Sequence, residues 1–378
     1  MIVLSSILRR AVYPAMSKAD MFSRRLRPGD VCALTYHGVL PPGVKFGQSP
    51  TDGTLVSAEN FRRQLRFLKS RYQLITPEEF RNWRGGRGSL PARAVLLTCD
   101  DGLLNALTEM VPILLEEGAR CLFFVASAAL GDDPAGDAST CDGPTYLWYE
   151  ELYRMLAQAP AEHVAAVQGS RAGKSSGGRL NMLGYWEDEI RELSKLNAED
   201  RRAALGSLRS RLSLPDDWRM HDSEDGPAKR RFRLLNRTEL RQLVAQGMTV
   251  GAHTVSHPWL PSMEADLARR EIQECRSRLA SCLQREIWAM AYPFGSEGSA
   301  GEREMKMVQD AGFTCAFLNH GGGRFRQTTP RFALPRAHVS YAMEIPELEA
   351  HLSGFHERLQ RRFRGRGPSA GEASPLCA

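Results

Sequence analysis

The chain sets two carboxylates side by side, Asp100 and Asp101 in "LLTCDDGLLN", directly after a run of strand-forming apolar residues. A solvated Asp-Gly turn would account for them without any function. A second cluster bears on the choice: "HTVSHPW" holds His253 and His257 four positions apart, so one helical turn or a tight loop can aim both imidazoles at one point. That spacing alone fits capping or surface histidines as well as metal ligands. With Thr, Val and Ser between the histidines, it is not the HExxH of zinc proteases. Two histidines and one carboxylate would bind a divalent ion and leave a position open for water. Successive side chains leaving a strand diverge, so one aspartate can hold the ion while its neighbour faces the water. A bound ion lowers the pKa of its water towards about 7 and polarises a carbonyl oxygen, and the second carboxylate can serve as general base. Such a site suits hydrolysis of an amide or ester.

Widely separated residues meet only if strands bring them together. From residue 31 short apolar runs alternate with amphipathic segments. "VCALTYHGV", "YQLIT", "AVLLTCD", "CLFFVA", "MTVGAH", "IWAMAYPFG", "CAFLN" and "FALPRAHVS" read as strands. Between them lie helical stretches such as "SAENFRRQLRFLKSR", with Phe61, Leu65 and Leu68 on one face, and "TPEEF", with Thr76, Pro77 and Glu79 as cap, first-turn proline and capping-box partner. "NALTEMVPILLEEG" is a further helix, stopped by Gly118. Repeated β-α alternation predicts an α/β fold, a distorted or incomplete (β/α) barrel of about seven strands. The alternation breaks at 131–235, where helical segments and the polar stretches "GDDPAGDASTCDGP" and "SRAGKSSGGR" predict a mainly helical insertion, a candidate lid. The expected organisation is an N-terminal amphipathic and basic segment (1–30), a barrel from 31–130 and 236–356, the insertion, and a basic flexible tail (357–378). His37, Asp100, Asp101, His253 and the Pro293–Phe294–Gly295 turn all fall at strand C-terminal ends, which open on one face of a parallel barrel.

Among 378 residues, 42% are hydrophobic and 25% charged, which excludes collagenous, disulfide-dense and wholly disordered classes. The net charge of +6 is mild and gathers in "RRLRPGD" and "ERLQRRFRGRG"; it suggests no nucleic-acid partner, and a basic end could touch anionic lipid or simply be solvated. The eight cysteines are scattered without a CxxC pair and read as small buried hydrophobes in a reducing compartment. No apolar run reaches membrane-span length, and "MIVLSSILRR" has the wrong order for a secretory signal. A cytoplasmic protein is expected, with its N-terminus able to rest on the inner face of a membrane. Oligomeric state is not legible.

"TCDDG", "HTVSH" and "YPFG", in this order, resemble the motifs of the polysaccharide deacetylases, carbohydrate esterase family 4, with the NodB homology domain. "LTYHGV" and "GMTVGAHTVSHPWL" resemble the opening strand and second motif of one branch. The resemblance implies a distorted (β/α) barrel that removes N-acetyl groups from amino sugars by metal-assisted hydrolysis. By position it makes Asp100 the catalytic base and Asp101, His253 and His257 the metal ligands, with Zn2+ favoured and Co2+, Ni2+ or Fe2+ compatible with the same donors. A tetrahedral intermediate would place its oxyanion near the metal and a backbone N–H at Phe294.

Two departures from the family pattern stand out. Ala291 occupies the position of the arginine that orients the base in RPPYG, with Arg336 in "LPRAHVS" as candidate substitute, and no late leucine-x-histidine motif is clear, with His338 as candidate general acid. His37, Trp259, Tyr292, Pro293 and Phe294 are candidate substrate-binding residues, although Trp259 could equally anchor its loop. Trp148, Tyr149, Tyr153 and Leu156 read as core, and "NHGGGRFR" as a flexible loop rather than an anion nest. The rival readings are a non-catalytic glycan-binding barrel and a hydrolase of a non-sugar C–N bond.

Overall fold

Two six-residue apolar runs become the central strands, Val31–Tyr36 (β1) and Ala94–Cys99 (β3), and every residue of both is buried, as parallel strands covered on both faces require. In this computed structural model residues 7–364 are described, apart from 23–25, 28, 48, 131–145, 170–181, 217 and 219–225. Cys141, Cys377, both polar stretches of the insertion up to residue 179 and the end of the basic tail lie outside the described residues.

The remaining strands are Gln73–Ile75 (β2), Cys121–Val125 (β4), Thr249–Ala252 (β5), Ala289–Ala291 (β6), Cys315–Gly321 (β7), Arg324–Phe325 (β8) and Leu334–His338 (β9). Parallel pairings run β1–β3–β4–β5–β6–β7–β9 and return from β9 to β1, so seven strands close a ring. β2 pairs with the first half of β3, up to Ile75↔Leu96, and β4 takes over at Leu97↔Cys121. The distorted barrel of seven strands read from the sequence is therefore present, with two small additions. One of them corrects the reading of the glycine-rich "NHGGGRFR": β7 runs on to Gly321 and β8 pairs antiparallel with β1 at Val31↔Phe325. Gly323 makes this possible, because its carbonyl accepts the Ala33 N–H and a Cβ there would stand 2.7 Å from the Ala33 oxygen.

Strand alternation divides the core in two. Val31, Ala33, Leu96, Leu122, Phe124, Ala289, Ala291, Phe317 and Leu334 fill the barrel interior, while Cys32, Leu34, Tyr36, Leu97, Phe123 and Met290 face the surrounding helices. Phe61, Leu65 and Leu68 of the Ala58–Arg71 helix are buried on that outer layer, as their spacing predicts. The Pro77–Arg84 helix begins with the expected Thr76–Glu79 capping box, and its Phe80 and Trp83 join the interior cluster with Phe325, opposite the first residue of β1. That helix plugs the end where strands begin and leaves the other end open for chemistry. The segment after β3 departs from a regular helix: a π-turn over Ala106–Met110 precedes the α-helical Val111–Glu116, where Pro112 lacks the N–H that a continuous helix would need.

The stretch between β4 and β5 is helical where it is described, with Trp148–Gln158, Ala161–Gly169, Met182–Leu193, Ala198–Arg211 and Pro227–Phe232. Leu152, Trp186, Ile190, Leu205 and Trp218 form its own apolar cluster, which reaches the barrel at Leu103 and Phe294. Near the other end of the chain, Tyr13 and Phe22 pack on Phe355 and Ala350, and Arg9 pairs with Glu347 at 2.8 Å. Among the described residues no helix is long and apolar enough to cross a membrane.

Candidate active site

The inward-facing register of each strand continues past its end and aims specific side chains at the open mouth. Val31 and Ala33 face inward, so His37 does too; Ala94 and Leu96 set the same face for Asp100, Phe317 for Asn319, and Leu334 for Arg336 and His338. His253 follows from Gly251, where a Cβ would meet the Phe124 ring at 2.7 Å. His37, Asp100, Asp101, His253, His257, Phe294, Asn319 and His338 line one pocket.

The two aspartates part as the strand ends. Asp100 donates its N–H to Tyr36 O at 2.9 Å and stays in the strand's register. Asp101 then turns into left-handed backbone at φ 75°, a strained state for a residue with a Cβ, and its carbonyl accepts the Ala126 N–H. Gly102 completes the turn at φ 77°, and any Cβ there would stand 2.7 Å from Val125 Cγ1. Thr254, His257 and Phe294 also have positive φ, so each of the three motif loops carries this strain. Glu271 of the Ala265–Leu283 helix fixes the histidine loop by accepting the N–H groups of Val255 and Ser256 at 2.9 and 2.8 Å and the Ser256 hydroxyl at 2.6 Å.

Asp101 Oδ1 lies 3.5 Å from Nε2 of both His253 and His257, and all three residues are buried. Their ligand atoms lie within 4.8 Å of one another. A tetrahedral ion bound at the usual nitrogen and oxygen distances holds its ligand atoms about 3.3 Å apart, so the trio fits a metal with little adjustment. His253 Nδ1–H donates to Ala291 O at 2.8 Å, which leaves Nε2 facing Asp101 as the nitrogen that becomes a ligand once its proton is lost. Burial pushes His257 down to about 3 and keeps that ring neutral, as ligation also requires. Burial would likewise lower His253, but the Asp101 hydrogen bond and the Asp100 charge outweigh it and raise the ring, as expected beside two carboxylates that attract a cation.

Arg336 replaces what Ala291 cannot supply. Its side chain is fully buried on the barrel interior, between the rings of Phe124 and Phe317, with Nη1 and Nη2 each 2.6 Å from one oxygen of Asp100. Nη1 also donates to the Thr98 hydroxyl and Nε to Leu318 O, at 2.8 and 3.0 Å. Burial alone would raise the Asp100 carboxyl; the Arg336 charge and fork overcome it and hold the group below its ordinary range. Ala291 itself faces inward and is small enough to leave that interior volume to the arginine.

The remaining sequence candidates separate. His338 lines the pocket with its ring 5.1 Å from that of His37 and Nδ1 3.4 Å from the Asn319 amide, and burial pushes it down to about 3. Phe294 lines the pocket against the His257 ring at 4.8 Å. Trp259 packs on Phe294 at 5.8 Å, outside the pocket lining, as its loop-anchoring alternative has it. Tyr292 is not brought to the site: strand alternation turns it outward into the core, where its hydroxyl donates to Phe332 O at 3.0 Å. Pro293 is likewise outside the lining.

Tyr149 corrects the purely core reading of its helix. It is buried, yet it lines the pocket and its hydroxyl donates to Asp101 Oδ2 at 3.4 Å. Trp148 Nε1–H donates to His257 O at 3.0 Å, and Arg201 to the Ser256 hydroxyl at 2.7 Å, so helices between β4 and β5 form a wired wall of the site. Glu150, Arg231, Thr51 and Asn319 also line the pocket and were not singled out from sequence. Asn319 was accessible from alternation along β7; the others depend on how a helix and a loop pack against the mouth.

A family model described as polysaccharide deacetylase matches residues 87–316, a span that includes Asp100, Asp101, His253 and His257. No curated protein matches the chain in sequence. Among solved structures, the chain is similar to the deacetylase PplD of Streptococcus pyogenes in complex with acetate, at 15% identity and TM-score 0.53 over 86% of this chain and 99% of that one. It is also similar to IcaB from Ammonifex degensii, at 18% identity and TM-score 0.51 over 87% of this chain and 98% of that one. A de-N-acetylase from Aggregatibacter actinomycetemcomitans matches at 12% identity and TM-score 0.54, over 85% of this chain and 99% of that one. Likeness at these identities shows the barrel fold.

Proposed function

Because the chain belongs to the polysaccharide deacetylases, hydrolases of amide bonds on sugars, we propose that it removes the N-acetyl group from an amino sugar of a glycan, polysaccharide precursor or lipid-linked saccharide. The observation that carries this is the pairing, at one barrel mouth, of a buried Asp101–His253–His257 trio with a separate carboxylate, Asp100, clamped by Arg336. Asp101, His253 and His257 hold a divalent ion, zinc by preference for this donor set. When bound, the ion supplies an acidified water and an electrophile for the acetyl carbonyl.

The chain's own residues do the rest. Asp100, kept ionised by Arg336, takes the proton from the attacking water. Arg336 cannot itself lose a proton, so it fixes the carboxylate without competing for the one being transferred. The backbone N–H beside Phe294, on a strained turn at φ 63°, donates to the developing oxyanion. His338, neutral at rest, takes that proton on from Asp100 and passes it to the departing amine, so one proton leaves the water and the same one reaches the leaving group. Tyr149 closes the wall over Asp101 and excludes bulk water. The products are acetate and a free amino sugar. We place the protein in the cytoplasm, beside the inner face of a membrane, a reading that the six buried, unpaired cysteines among the described residues support.

The test is acetate release from a panel of N-acetylated saccharides. Activity on at least one, lost in Asp100→Asn, is expected; full activity in that variant would remove Asp100 from the role of base.

A further inference from the structure

One seam of the pocket carries polar groups that the hydrolytic step does not use. Glu150, on the Trp148–Gln158 helix, lines the pocket with only 3% of its surface exposed. Its Oε1 accepts the Thr51 hydroxyl, whereas Oε2 is buried without a hydrogen-bond partner among the described residues. The loop presenting Thr51 is itself fixed: Asp52 Oδ2 accepts the N–H of Gly47 at 2.7 Å and of Ser49 at 3.1 Å, and Ser49 Oγ lies 3.1 Å from Thr51 Oγ1. Asp52 also pairs with Arg231, another pocket residue. Glu150 is thus held by one oxygen and offers the other. A buried polar atom left unpaired is costly, which makes a ligand the natural partner for it.

Neighbouring groups say what sort of ligand. Thr54, Leu55, Arg231 and Phe232 line the pocket with Glu150, so apolar faces alternate with hydroxyl, guanidinium and carboxyl groups. A pyranose ring has the same character, with C–H faces and a hydroxyl edge. Tyr149, the adjacent residue on the same helix, reaches Asp101, so the seam borders the reacting centre. We propose that this seam between the inserted helices and the loop after β1 is a sugar-binding subsite, in which the unpaired Glu150 oxygen hydrogen-bonds a ring hydroxyl of the amino sugar whose acetyl group is removed. The subsite rests on the deacetylase reading and deepens it, because it makes the inserted helices the part of the chain that reads the sugar.

Acetate release by wild type, Glu150→Ala and Glu150→Gln is measured on an N-acetylated oligosaccharide and on its monodeoxy analogues. Glu150→Ala loses about 10- to 100-fold in kcat/KM, chiefly through KM, and Glu150→Gln, which keeps the volume and an acceptor, loses less. For one analogue, wild type shows a penalty of about 10-fold or more that is absent in Glu150→Ala, because the partner of the missing hydroxyl is already gone. A merely structural role would not remove that penalty. If Glu150→Ala fails to fold, the comparison is made with Glu150→Gln, where the penalty shrinks. Identical penalties in wild type and variants would overturn the subsite while leaving the deacetylase reading intact; no acetate release by wild type from any N-acetylated sugar would overturn both.

Discussion

Replacing Arg336 by methionine isolates the device on which the proposed base depends. The side chain is fully buried and makes four hydrogen bonds, two to Asp100 and one each to Thr98 and Leu318 O. Methionine keeps much of the apolar stem against Phe124 and Phe317 but strands the Asp100 carboxylate without its partner. Breaking a buried ion pair in this way costs about 3–5 kcal/mol, read as a shift in the denaturation midpoint at pH 7. The sign of the pH effect follows from the folded state. In wild type the Asp100 pKa is depressed below its ordinary 3.8, so its contribution to stability is present above that value and is lost as pH falls through the folded pKa. In Arg336→Met the largest opposition to burial is gone and only His253 and His37 still lower the group, so the carboxyl rises and the acidic limb of the kcat/KM profile for acetate release moves to higher pH. Arg336→Lys keeps the charge but not the fork, and falls between the two. A methionine variant as stable as wild type, with an unmoved acidic limb, would refute this account of the base.

Gly102→Ala is expected to destabilise the protein by about 2–5 kcal/mol, the sum of a left-handed backbone cost and overpacking against Val125; urea denaturation measures it, and a change below about 0.5 kcal/mol would mean that the turn is not under the constraint seen. Burial first, and His351 next, push His356 down to about 4 from 6.5, beneath the docked Tyr13 hydroxyl at 2.7 Å. A folded pKa lowered in a histidine means stability intact above 6.5 and lost as pH falls towards 4, so Tm should drop over that window, and less in His356→Gln; equal drops in both proteins would exclude this ring as a source.

Much of the barrel was legible because its strands are continuous apolar runs flanked by amphipathic helices with caps, Thr76–Glu79 among them. The four motif residues were legible for the same reason: each follows a recognisable strand, and strand ends of a parallel barrel converge. Arg336 was within reach because Leu334 and His338 share its face by alternation, although only the fold reveals that it forks onto Asp100. Tyr292 illustrates the limit of motif reasoning: membership of "YPFG" suggested the pocket, but the period of two sends it outward. Glu150 and Thr51 were illegible, since their meeting depends on how a helix remote in sequence packs on a loop. β8 was hidden by the glycines that precede it, of which Gly323 approaches β1 at Ala33, a contact visible only once both strands are placed.

The central claim, an ion held by Asp101, His253 and His257 beside a separate base at Asp100, is tested most directly by measuring metal content and acetate release together for wild type, Asp101→Asn and Asp100→Asn. Wild type should bind one ion, lose activity to a chelator and recover it with Zn2+; Asp101→Asn should lose both ion and activity, and Asp100→Asn should keep the ion while losing turnover. Acetate release by metal-free protein, or full turnover by Asp100→Asn, would contradict it.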